Sequence, residues 1–287
     1  CPDTYNINPE EIKRKITDKT KAIIPVHYTG QPCDMDEIMK IAKKYSLYVV
    51  EDCAHSPGGE YKGKKLGSIG DIGCFSFHAR KNISTLGEGG MITTNNDQFG
   101  EEIPTLRGIG FKRFSQPIVN EFGEEVSTDY VSIRGKIPSH YRMNDFQAAV
   151  GSVQLKKLPM INKIRQEIAD YYTEELSKIR GITPPPLLPY PCVSTNHRYT
   201  CLYDEKITGI PFSTFKQRMF KFGVATAHTY LPIYLHGIFK ERGYKAGICP
   251  KAEEFYKKSL MLPIYPDLNP ELRKKVIEAV KKSLEIL

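Results

Sequence analysis

What this sequence does without narrows its class before any motif is read. No stretch approaches the roughly 20 apolar residues that a membrane-spanning helix requires, and the 287 residues contain no charged-then-apolar leader pattern. The cysteines, at positions 1, 33, 53, 74, 192, 201 and 249, form no CxxC pair and no metal-like spacing with histidine. That pattern excludes a disulfide framework and a thiolate metal centre, and it points to reduced, mostly buried thiols in a cytoplasmic chain. There is no internal repeat and no low-complexity tract, so solenoids and disordered linkers are set aside. Nor does the chain begin with methionine. Cys1-Pro2-Asp3-Thr4 reads as the middle of a turn, and the expectation is a chain cut from something longer.

What is present fits a soluble enzyme-sized chain. At 40% apolar and 26% charged residues the composition is ordinary for a globular protein with ample material for a core. The formal charge of +8 invites a nucleic-acid partner. However, the lysines are interleaved with glutamate along helical stretches such as Lys251 to Lys258 and Arg273 to Lys282, which describes solvated faces. No nucleic-acid or membrane partner is expected, and an anionic small molecule could use part of the surplus.

The first half alternates strand and helix. Apolar runs at 21–27, 47–52, 72–77 and 91–94 read as strands. A capped helix from Asp34 to Lys44 falls between the first two, so a mostly parallel, helix-covered sheet is predicted. Residues 110–142 read as one long polar loop. A helical pattern runs from Asn144 to Ile179, interrupted near Pro159, and five prolines between 184 and 191 mark an extended connector. Beyond it lies a small α+β piece. It has a strand at 197–203, a helix at 213–222 ended by Gly223, and a last helix opened by Asn269-Pro270 with Leu272, Val276, Val280, Leu284 and Leu287 on one stripe. The expected organisation is a large domain over 1–165 and a small C-terminal domain over 166–287.

Lys81 stands out by its surroundings. It follows the apolar run Ile72 to Phe77, and Gly87-Glu88-Gly89-Gly90 leads from it into the next strand. An amine at a strand's mouth is placed for covalent chemistry on a carbonyl if it is partly desolvated or beside another cation. Tyr48-Val49-Val50-Glu51-Asp52 is a second strand ending in a carboxylate, with His55 three residues on. Each of these residues alone has an ordinary role: Asp52 as a helix cap, His55 as a satisfied core residue, Lys81 as a solvated one, Ser76 as a small buried one. Their joint spacing is what carries the reading.

That spacing resembles the DegT/DnrJ/EryC1/StrS family of pyridoxal-phosphate sugar aminotransferases. The matching segments are Glu51-Asp52-Cys53-Ala54-His55, Gly70-Asp71-Ile72-Gly73-Cys74-Phe75-Ser76-Phe77, and Lys81-Asn82 through Gly90. Asp3 to Pro9, Pro25 to Pro32 and His140 to Ala149 extend the likeness. The resemblance implies a fold-type I pyridoxal-phosphate transferase, α/β and lacking its N-terminal portion. It also implies an amino group moved from an amino acid, usually glutamate, to a nucleotide-linked keto-sugar. A branch of the family that dehydrates sugars has histidine at the lysine position, so Lys81 argues for transamination.

Roles follow from the same likeness. Lys81 would hold the cofactor and move the proton, and Asp52 would pair with the pyridinium nitrogen. His55 would lie by the ring or its phenolic oxygen, and Ser76 would donate to the phosphate. His140 stands where the family has a phosphate-gripping asparagine that reaches into the neighbouring subunit of a homodimer. Arg142 would face a diphosphate, and His228, with Tyr230 and Pro232, loosely matches a motif near the sugar. The family's Ser-Gly-Thr loop and ring-stacking aromatic are not in these 287 residues. A separate polypeptide could supply them, and the alternative is an inactive or partner-dependent remnant.

Overall fold

The computed structural model describes Cys1 and residues 4–285; Asp3 of the matching opening segment and Leu287 of the last stripe lie outside them. Four strands, β1 (Ala22–Ile23), β2 (Tyr48–Asp52), β3 (Ile72–Ser76) and β4 (Gly90–Thr93), form one sheet in that order. The first two pairings are parallel and β3–β4 is antiparallel, so the architecture is mixed α/β with a mostly parallel sheet. The run at 21–27 forms a shorter ladder than its apolar content suggests, because Pro25 has no N–H to give. It continues as an isolated bridge: Pro25 O accepts from Asp52 N (2.9 Å) and His27 N donates to Asp52 O (3.2 Å).

Helix α1 (Met35–Tyr45) connects β1 to β2. Asp34 caps it through Glu37 N, and Ser46 closes it in a left-handed turn. Its inner face, Met35, Ile38, Ile41 and Ala42, packs with Ile23, Val49, Cys53, Tyr61 and Leu66 in one core. A second core lies C-terminal. There α2 (Asp145–Leu176), α3 (Phe212–Lys221) and α4 (Pro270–Ser283) cover a small antiparallel sheet. That sheet comprises β7 (Ile182–Thr183), β8 (Tyr199–Tyr203) and β9 (Ser259–Leu262), with β8 in the middle. Tyr172, Tyr199, Tyr203, Phe215, Leu260 and Val280 are its buried centre.

Two expectations need correction. Residues 110–142 are not one loop: β5 (Phe111–Val119) and β6 (Glu125–Tyr130) pair as a hairpin turned at Asn120 to Gly123. The hairpin is exposed on both faces, so its strands lack the apolar alternation that betrays a half-buried strand, and the Phe111–Tyr130 ring pair marks its register. The long helix also runs unbroken through Pro159. Pro159 and Leu155, the residue whose carbonyl loses its donor, are both exposed, so water can take the place of the missing bond.

The geometry of the main sheet hangs on Glu51, which is fully buried. Its carboxylate accepts from the backbone N–H groups of Gly67 (2.9 Å), Ile69 (2.8 Å) and Gly70 (2.7 Å), and from His27 Nε2 (3.1 Å). Cys33 N donates to His27 Nδ1 (3.0 Å), so Nε2 carries the imidazole proton. The loop thus held must pass close beneath β3. A Cβ on Gly67 would meet the Phe75 ring at 2.5 Å, and one on Gly73 would meet Gly67 Cα at 2.4 Å.

Burial pushes the Glu51 carboxyl up, but His27 and the amides outweigh it and hold it below its ordinary 4.5. The stabilisation is therefore present in full above about pH 4.5 and is lost as pH falls below it. Glu51→Ala should cost about 3–5 kcal/mol of unfolding free energy at neutral pH, read by urea titration. The difference should shrink in acid, and a variant as stable as the parent would show that the loop is held elsewhere.

Candidate functional site

The site forms where the C-terminal ends of β2 and β3 meet the segment entering β8. Asp52 ends β2; Ala54 N donates to its Oδ1 (3.0 Å), and among the described residues the second oxygen has no hydrogen bond. Ser76 ends β3 opposite Gly90, and its Oγ accepts from His78 N at 3.3 Å with its own proton still to give. Lys81 follows in a turn closed by Lys81 N to His78 O (2.9 Å) and is half-buried. Burial pushes the Lys81 amine below its ordinary value, Asp52 opposes that, and Arg198 adds to it. The turn beyond β3 therefore presents a partly desolvated amine facing one carboxylate and one guanidinium.

His55 is buried at the centre. Its ring stacks on His197 (centroids 4.4 Å apart, 22° between planes) and lies nearly parallel to Tyr230 (6.0 Å, 6°). Arg198 Nη2 donates to Tyr230 Oη at 2.6 Å, which turns the phenol's own proton toward His55 Nε2 at 3.5 Å. With Nε2 accepting, the imidazole proton sits on Nδ1, a buried atom without a hydrogen-bond partner among the described residues. Burial, with help from Lys81 and Arg198, pushes His55 down to about 3. Burial likewise pushes His197 down to about 2, with His55 the next cause. Asn82, next to Lys81, accepts from His197 Nδ1 (2.9 Å) and donates to Thr195 O (3.1 Å), while Thr195 Oγ1 donates to His55 O (2.7 Å). Both rings and the lysine turn are locked to one another.

Asp52, His55, Ser76 and Lys81 thus gather at one sheet end. His140 and Arg142 do not join them: both are exposed, paired with each other at 3.3 Å, and His140 bridges to Gly108. His228 is turned away, its Nδ1 on Tyr256 O (2.9 Å) and its ring edge against Phe212. Tyr230, two residues on, makes the contact instead. Sequence reading also missed His197 and Arg198 as site residues. The available signal was a basic pair at the mouth of an apolar strand, the same sign that singled out Lys81.

Clefts flank the cluster. One of about 490 Å³ is lined by Tyr28, Tyr230, Tyr5, Phe255, Lys251 and Lys258, among others. Another of about 300 Å³ is bordered by His197, Arg198 and Met261. His27, Glu51 and Cys53 bring three ligand-type atoms together. Both His27 nitrogens and both Glu51 oxygens are spent on hydrogen bonds, and burial raises the Cys53 thiol, so the group is a structural knot. Among the described residues no helix is long and apolar enough to cross a membrane.

Because His55 and His197 bind protons less readily folded than at their ordinary 6.5, the unfolded chain takes up protons first on acidification. Stability should fall as pH drops below about 6.5, by up to about 1.4 kcal/mol per pH unit for each ring. Histidine NMR, assigned through single substitutions, should show neither ring titrating between pH 5 and 8. A midpoint near 6.5 for His55 would mean that its burial is wrong.

Known proteins resemble this chain over nearly its whole length. A family model described as the DegT/DnrJ/EryC1/StrS aminotransferase family matches residues 1–281. The spore coat polysaccharide biosynthesis protein SpsC of Bacillus subtilis is 37% identical over 284 residues, covering 97% of this chain and 70% of SpsC. The structure of Helicobacter pylori PseC, an aminotransferase involved in pseudoaminic acid biosynthesis, superposes with a TM-score of 0.83 at 30% identity. That match covers 97% of this chain and 71% of PseC. The PLP-form of Spr1654 from Streptococcus pneumoniae gives a TM-score of 0.83 at 28% identity, over 99% of this chain and 73% of that one. The chain belongs to the DegT/DnrJ/EryC1/StrS aminotransferase family, and its fold is that of the family's pyridoxal-phosphate enzymes.

Proposed function

We propose that this chain moves an amino group from an amino acid, glutamate by preference, to a nucleotide-linked keto-sugar, using pyridoxal phosphate held on Lys81. The observation that carries the reading is the half-buried Lys81 amine beside Asp52 and the unpartnered His55 Nδ1. PseC and SpsC, whose names tie them to pseudoaminic acid and to spore coat polysaccharide, support a sugar as acceptor.

The residues present fit the cofactor. His55 Nδ1–H is a buried donor in want of an acceptor, and a phenolate oxygen is one. Asp52, with one oxygen free of hydrogen bonds, is suited to a protonated pyridine nitrogen. Ser76 Oγ has a proton to give a phosphate oxygen. When bound, pyridoxal phosphate supplies an electron sink for the charge left at the amino-bearing carbon. Lys81 does the rest of the work. Its lowered basicity leaves more free amine at neutral pH, so Nζ can attack a carbonyl and, once released, take a proton from the donor's α-carbon and return one to the sugar. Asn82 and His197 keep the lysine turn in register throughout.

A partner subunit's His140 and Arg142 would reach phosphates in this scheme; their exposure among the described residues leaves them free to do so. The same reading assigns residues 1–165 to cofactor binding and 166–287 to a small C-terminal domain, supported by two separate cores. A cytoplasmic, homodimeric enzyme is part of the proposal.

Borohydride reduction followed by peptide mapping should place the cofactor on Lys81, and a labelled peptide elsewhere would sink the assignment. Asp52→Asn should keep cofactor yet lose turnover by about 100-fold or more, since an amide cannot hold the pyridinium proton. Parent-like turnover in that variant would remove Asp52 from its role.

A further inference from the structure

Arg198 is a half-buried cation that no carboxylate answers among the described residues. Its Nη2 donates to Tyr230 Oη (2.6 Å), and its Nη1 reaches Met261 Sδ (3.3 Å), a weak acceptor. The guanidinium lies over the Tyr230 ring, with Cζ 4.2 Å from the centroid. Three other arginines show how such a charge is met elsewhere. Arg14 and Arg134 pair with glutamates, and buried Arg165 spends Nη1 on the carbonyls of Asn196, His197 and Ile264. A guanidinium has five N–H donors, and burying its charge without a counter-charge is costly. Most of this fork remains unspent.

Its place gives the vacancy a meaning. Arg198 follows His197, which is bonded to Asn82 beside Lys81 and stacked on His55. It also borders the cleft of about 300 Å³, while its partner Tyr230 lines the one of about 490 Å³. The cation thus stands between open space and the reactive amine.

We propose that Arg198 anchors the carboxylate of the amino donor, and so sets the donor specificity of the transamination proposed above, on which the inference rests. A planar fork fits a carboxylate through two parallel hydrogen bonds. In an α-amino acid the carboxylate sits on the very carbon that bears the amine, so its anchor must lie next to Lys81. The phosphates of a nucleotide-linked sugar hang from the anomeric carbon, farther from the reacting ketone, and need an anchor farther out. Tyr230 lies beneath the guanidinium and takes one Nη2 proton, leaving the N–H groups that neither it nor Met261 engages for the ligand.

The test compares the holoenzyme with Arg198→Leu and Arg198→Lys. Calorimetry would follow binding of maleate, a dicarboxylate that cannot react, and steady-state kinetics would give KM for glutamate and for the keto-sugar. Arg198→Leu should weaken maleate binding and raise the glutamate KM on the order of 30-fold, the loss of a charge-assisted pair. The sugar KM should change far less than the glutamate KM, and borohydride reduction should still label Lys81. Arg198→Lys, which keeps the charge without the fork, should fall between, and matching thermal unfolding midpoints would exclude a folding defect. Unchanged maleate and glutamate values, or a rise confined to the sugar KM, would overturn the proposal, the latter assigning Arg198 to a phosphate. Failure of the transaminase reading looks different: no borohydride-fixed cofactor on Lys81 in the parent, whatever maleate binding shows.

Discussion

One buried carboxylate organises this molecule. Glu51 has no water to satisfy it, so its oxygens must be filled by protein donors, and they are filled by three consecutive-region amides and one imidazole. Those amides belong to the loop that feeds β3, and the imidazole belongs to the segment leaving β1. A single side chain therefore fixes three neighbouring strands of the sheet against one another. Its neighbour Asp52 points the opposite way along the pleat, as strand alternation requires, and becomes the carboxylate of the site. Asp71 adds a second lock of the same kind, accepting Val49 N at 2.7 Å. The two adjacent acids divide the labour, one holding the scaffold and the other left with an oxygen free for chemistry.

Much of this was legible in the sequence because it follows local rules. Apolar runs marked the strands, and Asn269 and Asp34 announced their helices as caps. Lys81 and Asp52 could be singled out because charge at the exit of a buried strand contradicts its surroundings. What stayed hidden depends on contacts distant in sequence or on water. The exposed β5–β6 hairpin carries no alternation to read, since both its faces meet solvent. Pro159 signals a break, yet its lost bond lies where water can replace it. Tyr230 reaches His55 across 175 residues, and nothing local distinguishes it from His228 two positions earlier, which turns instead to Tyr256. Glu51 itself read only as part of a motif, because its role exists only once the loop has folded over it.

The site belongs to neither of the two main cores. Asp52, His55, Ser76 and Lys81 come from the sheet, whereas His197, Arg198 and Tyr230 come from the segments flanking the C-terminal sheet. The ring column at 55, 197 and 230 is the joint between them, and Asn82 to His197 is its polar fastening. Any shift of the C-terminal part against the sheet would be felt at Lys81 through Asn82, one residue away. In the transamination proposed above the Lys81 amine would attack, withdraw and return, which needs its backbone held still while its long side chain moves, and this joint would provide that.

Burial also sets the charge of the site. Two imidazoles that would share protons near neutrality in water are kept neutral by desolvation and by the cations beside them. That leaves Lys81 and Arg198 facing the single carboxylate of Asp52, a local excess of positive charge inside a partly closed space. Burial, with Arg198 adding to it and Asp52 opposing it, keeps the lysine less basic than in water, which favours the free amine. The two cations make the pocket hospitable to anions, and in the transamination proposed above both the amino donor and a phosphate-bearing sugar carry negative charge. An anion entering beside Arg198 would offset that cation's share in lowering Lys81 and raise its basicity, so binding and proton affinity rise together. The lysine would then become a better base at the moment a substrate proton is there to be taken.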